Sequence, residues 1–507
     1  MTTHPLLRLS LLSLALAGLS ACDKAPQPEA KAAKQQSKAE QHQVHGDGIN
    51  WFQGGVDAAF VQAKADGKPV FLFWGAEWCP YCQQIKNTIF NRREFIEQSR
   101  QFVAVYVDGD AEGAQAIGDR FKVMGYPTML VFAPDGTELT RLPGGIDLEQ
   151  YAAVLDRSLN GLKPVQDLAR AALAGQALSD SEYRQLAYYS WDQDGDIDNR
   201  AALFASLGEG AGQADVRTRF YLLWVGEQLQ GDGLAADQGA ELARQLGAIL
   251  ADGALTKAAL EWLQYLPGEL LEATGLEGEA KEKLQAKWLA AMDQVAADAG
   301  YSNRERLLAA YPALAFADQP DEGLQAQVRK AVARADADTS NPYERQAVMS
   351  AAISLLRDAD LNEEASSLAE TELKKAAQPH YFMSYIASIE EELGNGDQAL
   401  AWRKRAFDEA RGPATRFQWG TSYLQALVRL APEQGQLIEQ TALALLDEVQ
   451  QSELFSGRNY KRLQRIEQSL RDWQGDSQAI KSKVLGQCQP LAQALKARCE
   501  AFMAAEA

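Results

Sequence analysis

Between Ile49 and Leu162 the apolar positions change period several times, and each change marks an element. Gly55 to Ala65 places Val56, Ala59, Phe60 and Ala63 on one helical face, and Gly67-Lys68-Pro69 ends that helix. Val70 to Trp74 is continuously apolar, as a strand buried on both faces requires. A helical pattern carrying Ile85 and Ile89 follows. Asn91 and Glu94 then have capping-box spacing for a short helix bearing Phe95 and Ile96. Phe102 to Val107 reads as a second buried strand and Ala111 to Phe121 as a crossover helix. Met129 to Phe132 and Glu138 to Leu142 are predicted strands joined at Pro134-Asp135-Gly136, which is hairpin chemistry. Leu148, Tyr151, Ala152, Leu155 and Leu159 form the stripe of a closing helix. The order is βαβ followed by ββα, so residues 48–162 predict an α/β domain with a central mixed sheet flanked by helices.

Beyond Leu162 the chain turns to Ala, Leu, Glu and Gln with helical periodicity, and residues 163–507 predict a large all-α region. Helix punctuation recurs at Leu266-Pro267-Gly268, Asn341-Pro342, Gln378-Pro379, Gly412-Pro413 and Ala431-Pro432. Ala365 and Ala399 stand 34 residues apart, as do Pro379 and Pro413. Leu393-Gly394-Asn395-Gly396-Asp397-Gln398-Ala399-Leu400 resembles the turn and second helix of a tetratricopeptide unit. A repeat of that kind over residues 340–430, with a break in the helical region near 319–338, is one reading; a non-repeating bundle is the other.

The N-terminal stretch 1–21 reads as an address rather than a fold. Arg8 precedes an apolar run, Leu9 to Ala17, too short to span a bilayer with ordinary flanks. Leu19-Ser20-Ala21-Cys22 resembles the bacterial lipobox, which implies a diacylated Cys22 at the mature N-terminus and an extracytoplasmic protein anchored without a transmembrane helix. Asp23 resembles an inner-membrane retention signal. The alternative is a cleaved soluble signal with a chance cysteine. Residues 22–47 predict a disordered tether reaching about 25 to 30 Å. His42 and His45 lie in it without a neighbouring cysteine, so idle histidines are the simpler reading than metal ligands.

A length of 507 residues predicts two to four domains. The formal charge of −19 argues against a nucleic-acid partner, because phosphate binding needs a basic face. Five cysteines remain to be placed: if lipid takes Cys22, then Cys79, Cys82, Cys488 and Cys499 form an even set suited to an oxidising compartment.

Trp78-Cys79-Pro80-Tyr81-Cys82 carries the candidate chemistry. Disulfide exchange proceeds by thiolate attack, so one cysteine must ionise readily while its partner waits to resolve the mixed disulfide. At the start of a helix, Cys79 faces the positive end of the dipole and the free amides of the first turn, which favour its thiolate, while Cys82 lies one turn deeper. Cys79 is thus the expected nucleophile and Cys82 the resolver. Pro80 at the first turn lacks only an N–H that would be unpaired anyway. Zinc is disfavoured because no further Cys or His lies nearby, and a purely structural disulfide fits such a tight ring poorly. No cofactor is required. Cys488 and Cys499 are separated by ten residues and suit a structural bridge pinning the last helix, worth about 3 kcal/mol; a second redox pair is the alternative. Asp192-Gln193-Asp194-Gly195-Asp196 fails as a calcium loop, since Ile197 takes the place of the required Gly and Leu203 that of the required Glu.

Gly67-Lys68-Pro69-Val70, Ala76-Glu77-Trp78-Cys79-Pro80-Tyr81-Cys82, Gly125-Tyr126-Pro127-Thr128 and Pro134-Asp135-Gly136 resemble, in order, motifs of thioredoxin-like proteins. The resemblance is greatest to the branch that includes the C-terminal domain of the membrane disulfide reductase. It implies a thioredoxin fold, a cis Pro127 facing the cysteines, and a Tyr126 backbone that pairs with the substrate strand. It also implies that Trp78, Pro80 and Tyr81 shape the surface met by substrate, with Pro80-Tyr81 resembling the glutaredoxin dipeptide. One departure stands out: thioredoxins place a buried Asp six residues before the first cysteine, and Phe73 is found here. The resulting expectation is a lipid-anchored thiol:disulfide oxidoreductase of the bacterial envelope, acting on protein thiols and disulfides with a membrane redox partner, its direction open. A helical-repeat scaffold with a redox-inactive thioredoxin-like domain is the rival.

Overall fold

The computed structural model describes residues 48–143 apart from Trp78 and Glu112, and 162–473 apart from 194–196, 198, 377 and 452–456, with a few positions beyond 473. The leader, the lipobox with Cys22, the tether, the closing helix predicted around 148–159, and Cys488 and Cys499 lie outside the described residues.

The first part of the chain is a mixed four-stranded sheet with helices on both faces. Its elements are α1 (Val56–Asp66), β1 (Val70–Gly75), α2 (Pro80–Thr88), α3 (Arg93–Ser99), β2 (Val103–Asp108), α4 (Ala114–Arg120), β3 (Thr128–Phe132) and β4 (Glu138–Pro143). The strand order is β2-β1-β3-β4, with β1 and β2 parallel and the other pairs antiparallel. Strand alternation sorts the large side chains between two layers. Leu72 and Trp74 join Val105 and Val107 against α1 and α4. Phe71 and Phe73 point the other way into an aromatic cluster, where Phe90 lies 4.9 Å from Phe73, Phe95 lies 5.0 Å from Phe90, and Trp51 edges onto Phe90 at 5.6 Å. The hairpin at 134–136 closes as its residues demand: Ala133 N–H donates to Thr137 O at 2.8 Å, and Asp135 accepts from Thr137 N–H at 2.9 Å.

One local expectation gives way. The capping box at Asn91 and Glu94 does not form; α3 begins at Arg93 after an uncapped Arg92, and the Asn91 amide donates instead to Asn87 O. Asn91 lies three residues past the last residue of α2, near enough for its side chain to be taken by that helix's final turn.

Beyond Leu162 the described elements are helices, with a single 3₁₀ turn at Trp191–Gln193. The described residues fall into two compact units. One comprises 166–187 and 194–324. Its core gathers Leu242, Leu246 and Leu263 around Trp288, whose indole N–H donates to Leu263 O at 3.1 Å. Arg219, also in that core, satisfies its guanidinium on Ala187 O, Ala258 O and Glu261. The other unit joins the sheet domain to residues 188–193 and to the helices from 325 onward. Consecutive helices there pack pairwise: Pro342–Asp358 on Asn362–Leu373, that on His380–Glu392, then Gly396–Glu409 and Pro413–Leu430. No described helix is long and apolar enough to cross a membrane.

Candidate redox site

Strand β1 ends at Gly75, and the turn through Ala76 and Glu77 delivers Cys79 to the N-cap of α2. Extended backbone at Cys79 (φ −78°, ψ 114°) leaves its side chain above the first turn, where Sγ accepts the Cys82 N–H at 3.1 Å. The sulfur thereby takes one of the amide donors that every helix start leaves over. Pro80 sits within the first turn. The Gln83 amide donates to Glu77 O at 2.9 Å and ties the turn to the helix. Cys79 and Cys82 are disulfide-bonded, with Cα atoms 5.2 Å apart. Cys82 is fully buried and Cys79 is only 2% exposed.

The Tyr126-Pro127 bond is cis and Pro127 is buried. The Tyr126 ring packs on Trp74 at 5.7 Å, and its hydroxyl receives the Gln115 amide at 3.2 Å. A Cβ at position 109 would lie 2.0 Å from that hydroxyl, so only glycine lets the β2–α4 loop pass beneath the tyrosine. Tyr81 is half-buried; Trp78 lies outside the described residues, so the surface expected of it is undescribed.

Phe73 occupies the strand position that carries a carboxylate in thioredoxins, inside the aromatic cluster and fully buried. The carboxylates of the site stand elsewhere. Asp108 closes β2 opposite Gly75 and accepts the Asp110 N–H at 3.1 Å. Burial pushes its carboxyl above the ordinary range; the Asp110 N–H opposes that, while the charges of Asp110 and Glu77 add to it and Lys86 subtracts. Lys86 lies 4.1 Å over the Tyr106 ring, whose hydroxyl burial also pushes up. A carboxyl raised in the folded state stabilises the fold fully below its unfolded value, and that contribution is lost as pH rises through the raised one. Asp108→Asn is therefore expected to raise the melting temperature at pH 7. The gain should shrink as pH falls into the carboxylate range, and thermal melts at pH 7 and at about pH 4 check both parts.

Three segments distant in sequence reach this domain within its own compact unit, and spacing gave no sign of them. The Pro342–Asp358 helix packs along α2. Asp110 accepts the Thr415 hydroxyl at 2.6 Å. Gln193 lies 3.2 Å from the Thr128 hydroxyl, and its carbonyl accepts from Arg141, a buried guanidinium clamped bidentately by Glu138 at 2.7 and 2.8 Å. Among the described residues no group of three or more metal-ligating side chains occurs.

The chain carries a thioredoxin-like domain: residues 56–159 match the family of that description. The same part of the chain is similar to thiol:disulfide interchange proteins. It is 31% identical over 104 residues to DsbD of Pseudomonas fluorescens, covering 20% of this chain and 17% of that protein. To DsbD 1 of Pseudomonas aeruginosa it is 33% identical over 107 residues, covering 20% and 18%. A solution structure of a thioredoxin from Thermus thermophilus is 26% identical and covers 22% of this chain and 87% of that one, with a TM-score of 0.20. The chain thus spans 17% and 18% of the length of these two curated DsbD relatives. A cysteine pair at the helix start of such a domain supports thiol:disulfide oxidoreductase chemistry at the level of the family.

Proposed function

We propose that the protein is a membrane-anchored, extracytoplasmic thiol:disulfide oxidoreductase. The observation that carries this reading is the Cys79–Cys82 pair at the N-terminus of α2, with one sulfur accepting a first-turn amide. In the reducing direction the Cys79 thiolate attacks a substrate disulfide, forms a mixed disulfide and releases one substrate thiolate. Cys82, once deprotonated, attacks Cys79 Sγ, which frees the second substrate thiolate and leaves the Cys79–Cys82 bond; two electrons have passed to the substrate. The reverse sequence oxidises a dithiol. Pro127 and the Tyr126 backbone bound the approach to Cys79, and Trp78, Pro80 and Tyr81 form the rest of the surface offered to substrate. A lipid on Cys22 holds the domain at the membrane, on the side where the leader directs it, and a membrane redox partner resets the pair. The helical region serves as a tetratricopeptide-like platform for protein partners, since stacked helical repeats present extended binding surfaces.

The test is the reduction potential of the pair in the full chain. The protein is equilibrated in glutathione or dithiothreitol buffers, and the state of Cys79 and Cys82 is read from their own peptide by mass spectrometry. One reversible two-electron transition between about −270 and −120 mV is expected. A value near the lower bound makes the protein a reductase fed by a membrane donor; one near the upper bound makes it an oxidase or isomerase. No transition at all would sink the enzyme reading and leave a helical-repeat scaffold.

A further inference from the structure

The dithiol is covered by its own chain. An attacking cysteine needs an open line along the substrate S–S bond, yet Cys79 is 2% exposed and Pro127 is buried. The Pro342–Asp358 helix lies along α2 and is buried over a broad face: Val348, Met349, Ala352 and Ile353 are fully buried, and Ala347, Leu355 and Leu356 are buried beside them. So broad a buried face places the helix between two layers, and here they are α2 and the helices that follow it. Tyr385, on the His380–Glu392 helix, hydrogen-bonds Ser350 and Ser354 and stands near Tyr81 of the cysteine motif. In the loop that follows β2, the Asp110 carboxylate meets the first turn of the Pro413–Leu430 helix, taking the Thr415 hydroxyl at 2.6 Å. The fit there is close. Gly412 has φ +81°, and a Cβ on it would lie 2.6 Å from Asp110 Oδ2.

Resting on the dithiol reading above, we propose that the helical region is a clasp: the Pro342–Asp358 helix along α2 and Thr415 on Asp110 close the cysteine pair to protein disulfides, and exchange requires release of that contact. The Asp110–Thr415 hydrogen bond is charge-assisted and sits at a positive helix end, so it is the most separable part of the clasp. Its loss leaves the α2 core untouched, because Asp110 lies in the β2–α4 loop.

The experiment compares two reagents on the reduced full-length protein, following Cys79 alone by peptide mass spectrometry. One is N-ethylmaleimide; the other is a maleimide on a long polyethylene glycol. In the native sequence the bulky reagent is expected to lag far behind the small one. Thr415→Val, which keeps shape and removes the hydroxyl, should raise the bulky-reagent rate about tenfold while the small-reagent rate changes less than about twofold. Gly412→Ala should act in the same direction by forcing the contact apart, and Thr415→Ser should stay like the native protein. Equal rates for the two reagents in the native protein would overturn the clasp. So would an unchanged ratio in Thr415→Val and Gly412→Ala proteins that melt like the native one. Failure of the redox reading shows separately, as a pair without a reversible two-electron transition whose size-dependence nonetheless responds to Thr415→Val.

Discussion

Cys79→Ala is expected to reduce thiol:disulfide exchange to the uncatalysed background, and Cys82→Ala to leave Cys79 bound to substrate proteins as mixed disulfides. The two outcomes differ because the two sulfurs occupy different places. Cys79 caps α2 with its sulfur on a first-turn amide, whereas Cys82 is fully buried one turn further on. A thiol with no access cannot take over the first attack, so among the described residues no second thiol replaces Cys79. Without Cys82, attack still occurs, but nothing nearby breaks the mixed disulfide, and escape waits for an external thiol. Non-reducing electrophoresis of the two variants, with the trapped peptides identified by mass spectrometry, checks both. Turnover surviving in Cys79→Ala would remove the assignment of nucleophile.

Most of the sheet domain was legible because its signals are local. A continuous apolar run such as Val70 to Trp74 has few solutions besides a doubly covered strand, and the strand found runs one residue further, to Gly75. The Pro-Asp-Gly turn and the cysteine helix likewise depend on neighbours within a few residues. Asn91 shows the limit even at short range: the same side chain suits the start of α3 and the end of α2, and only the packed backbone decides between them. Around the cysteines, the helix start and the cis Tyr126-Pro127 bond were legible from motifs, but the contacts from the helical region were not. Asp110 and Thr415 are separated by 305 positions, and neither belongs to a motif. Gln193 drew attention only as part of a failed calcium loop, yet its side chain reaches Thr128 beside the cis proline and its carbonyl reaches Arg141. Such contacts depend on how a helical region folds back, which periodicity leaves open.

Phe73→Asp would restore the carboxylate that thioredoxins carry beneath the resolving cysteine, and it is expected to unfold the domain rather than to quicken it. Phe73 is fully buried, with ring centroids of Phe90, Tyr106 and Trp51 at 4.9, 5.8 and 6.3 Å. Deleting a buried phenyl ring costs about 3–5 kcal/mol, and a carboxyl left among aromatic rings adds a desolvation cost. Against a typical domain stability of about 5–15 kcal/mol, that sum removes most of the margin. The new carboxyl is disfavoured in its charged form, so its folded pKa lies above its unfolded one, and stability is lost as pH rises through that range. Denaturant melts at pH 5 and pH 7 should therefore show a larger deficit at pH 7, while Phe73→Leu, the uncharged control, shows a smaller deficit that does not depend on pH. A Phe73→Asp protein that melted like the native one and reduced disulfides faster would show that the aromatic cluster is dispensable and that this chain merely lacks a carboxylate. The expected result has a different meaning for mechanism. With rings filling the place of the buried acid, the Cys82 proton must leave by another route; Glu77 in the turn itself and Asp108, raised by its burial and paired in register with Gly75 at the end of β1, are the carboxyls of that turn.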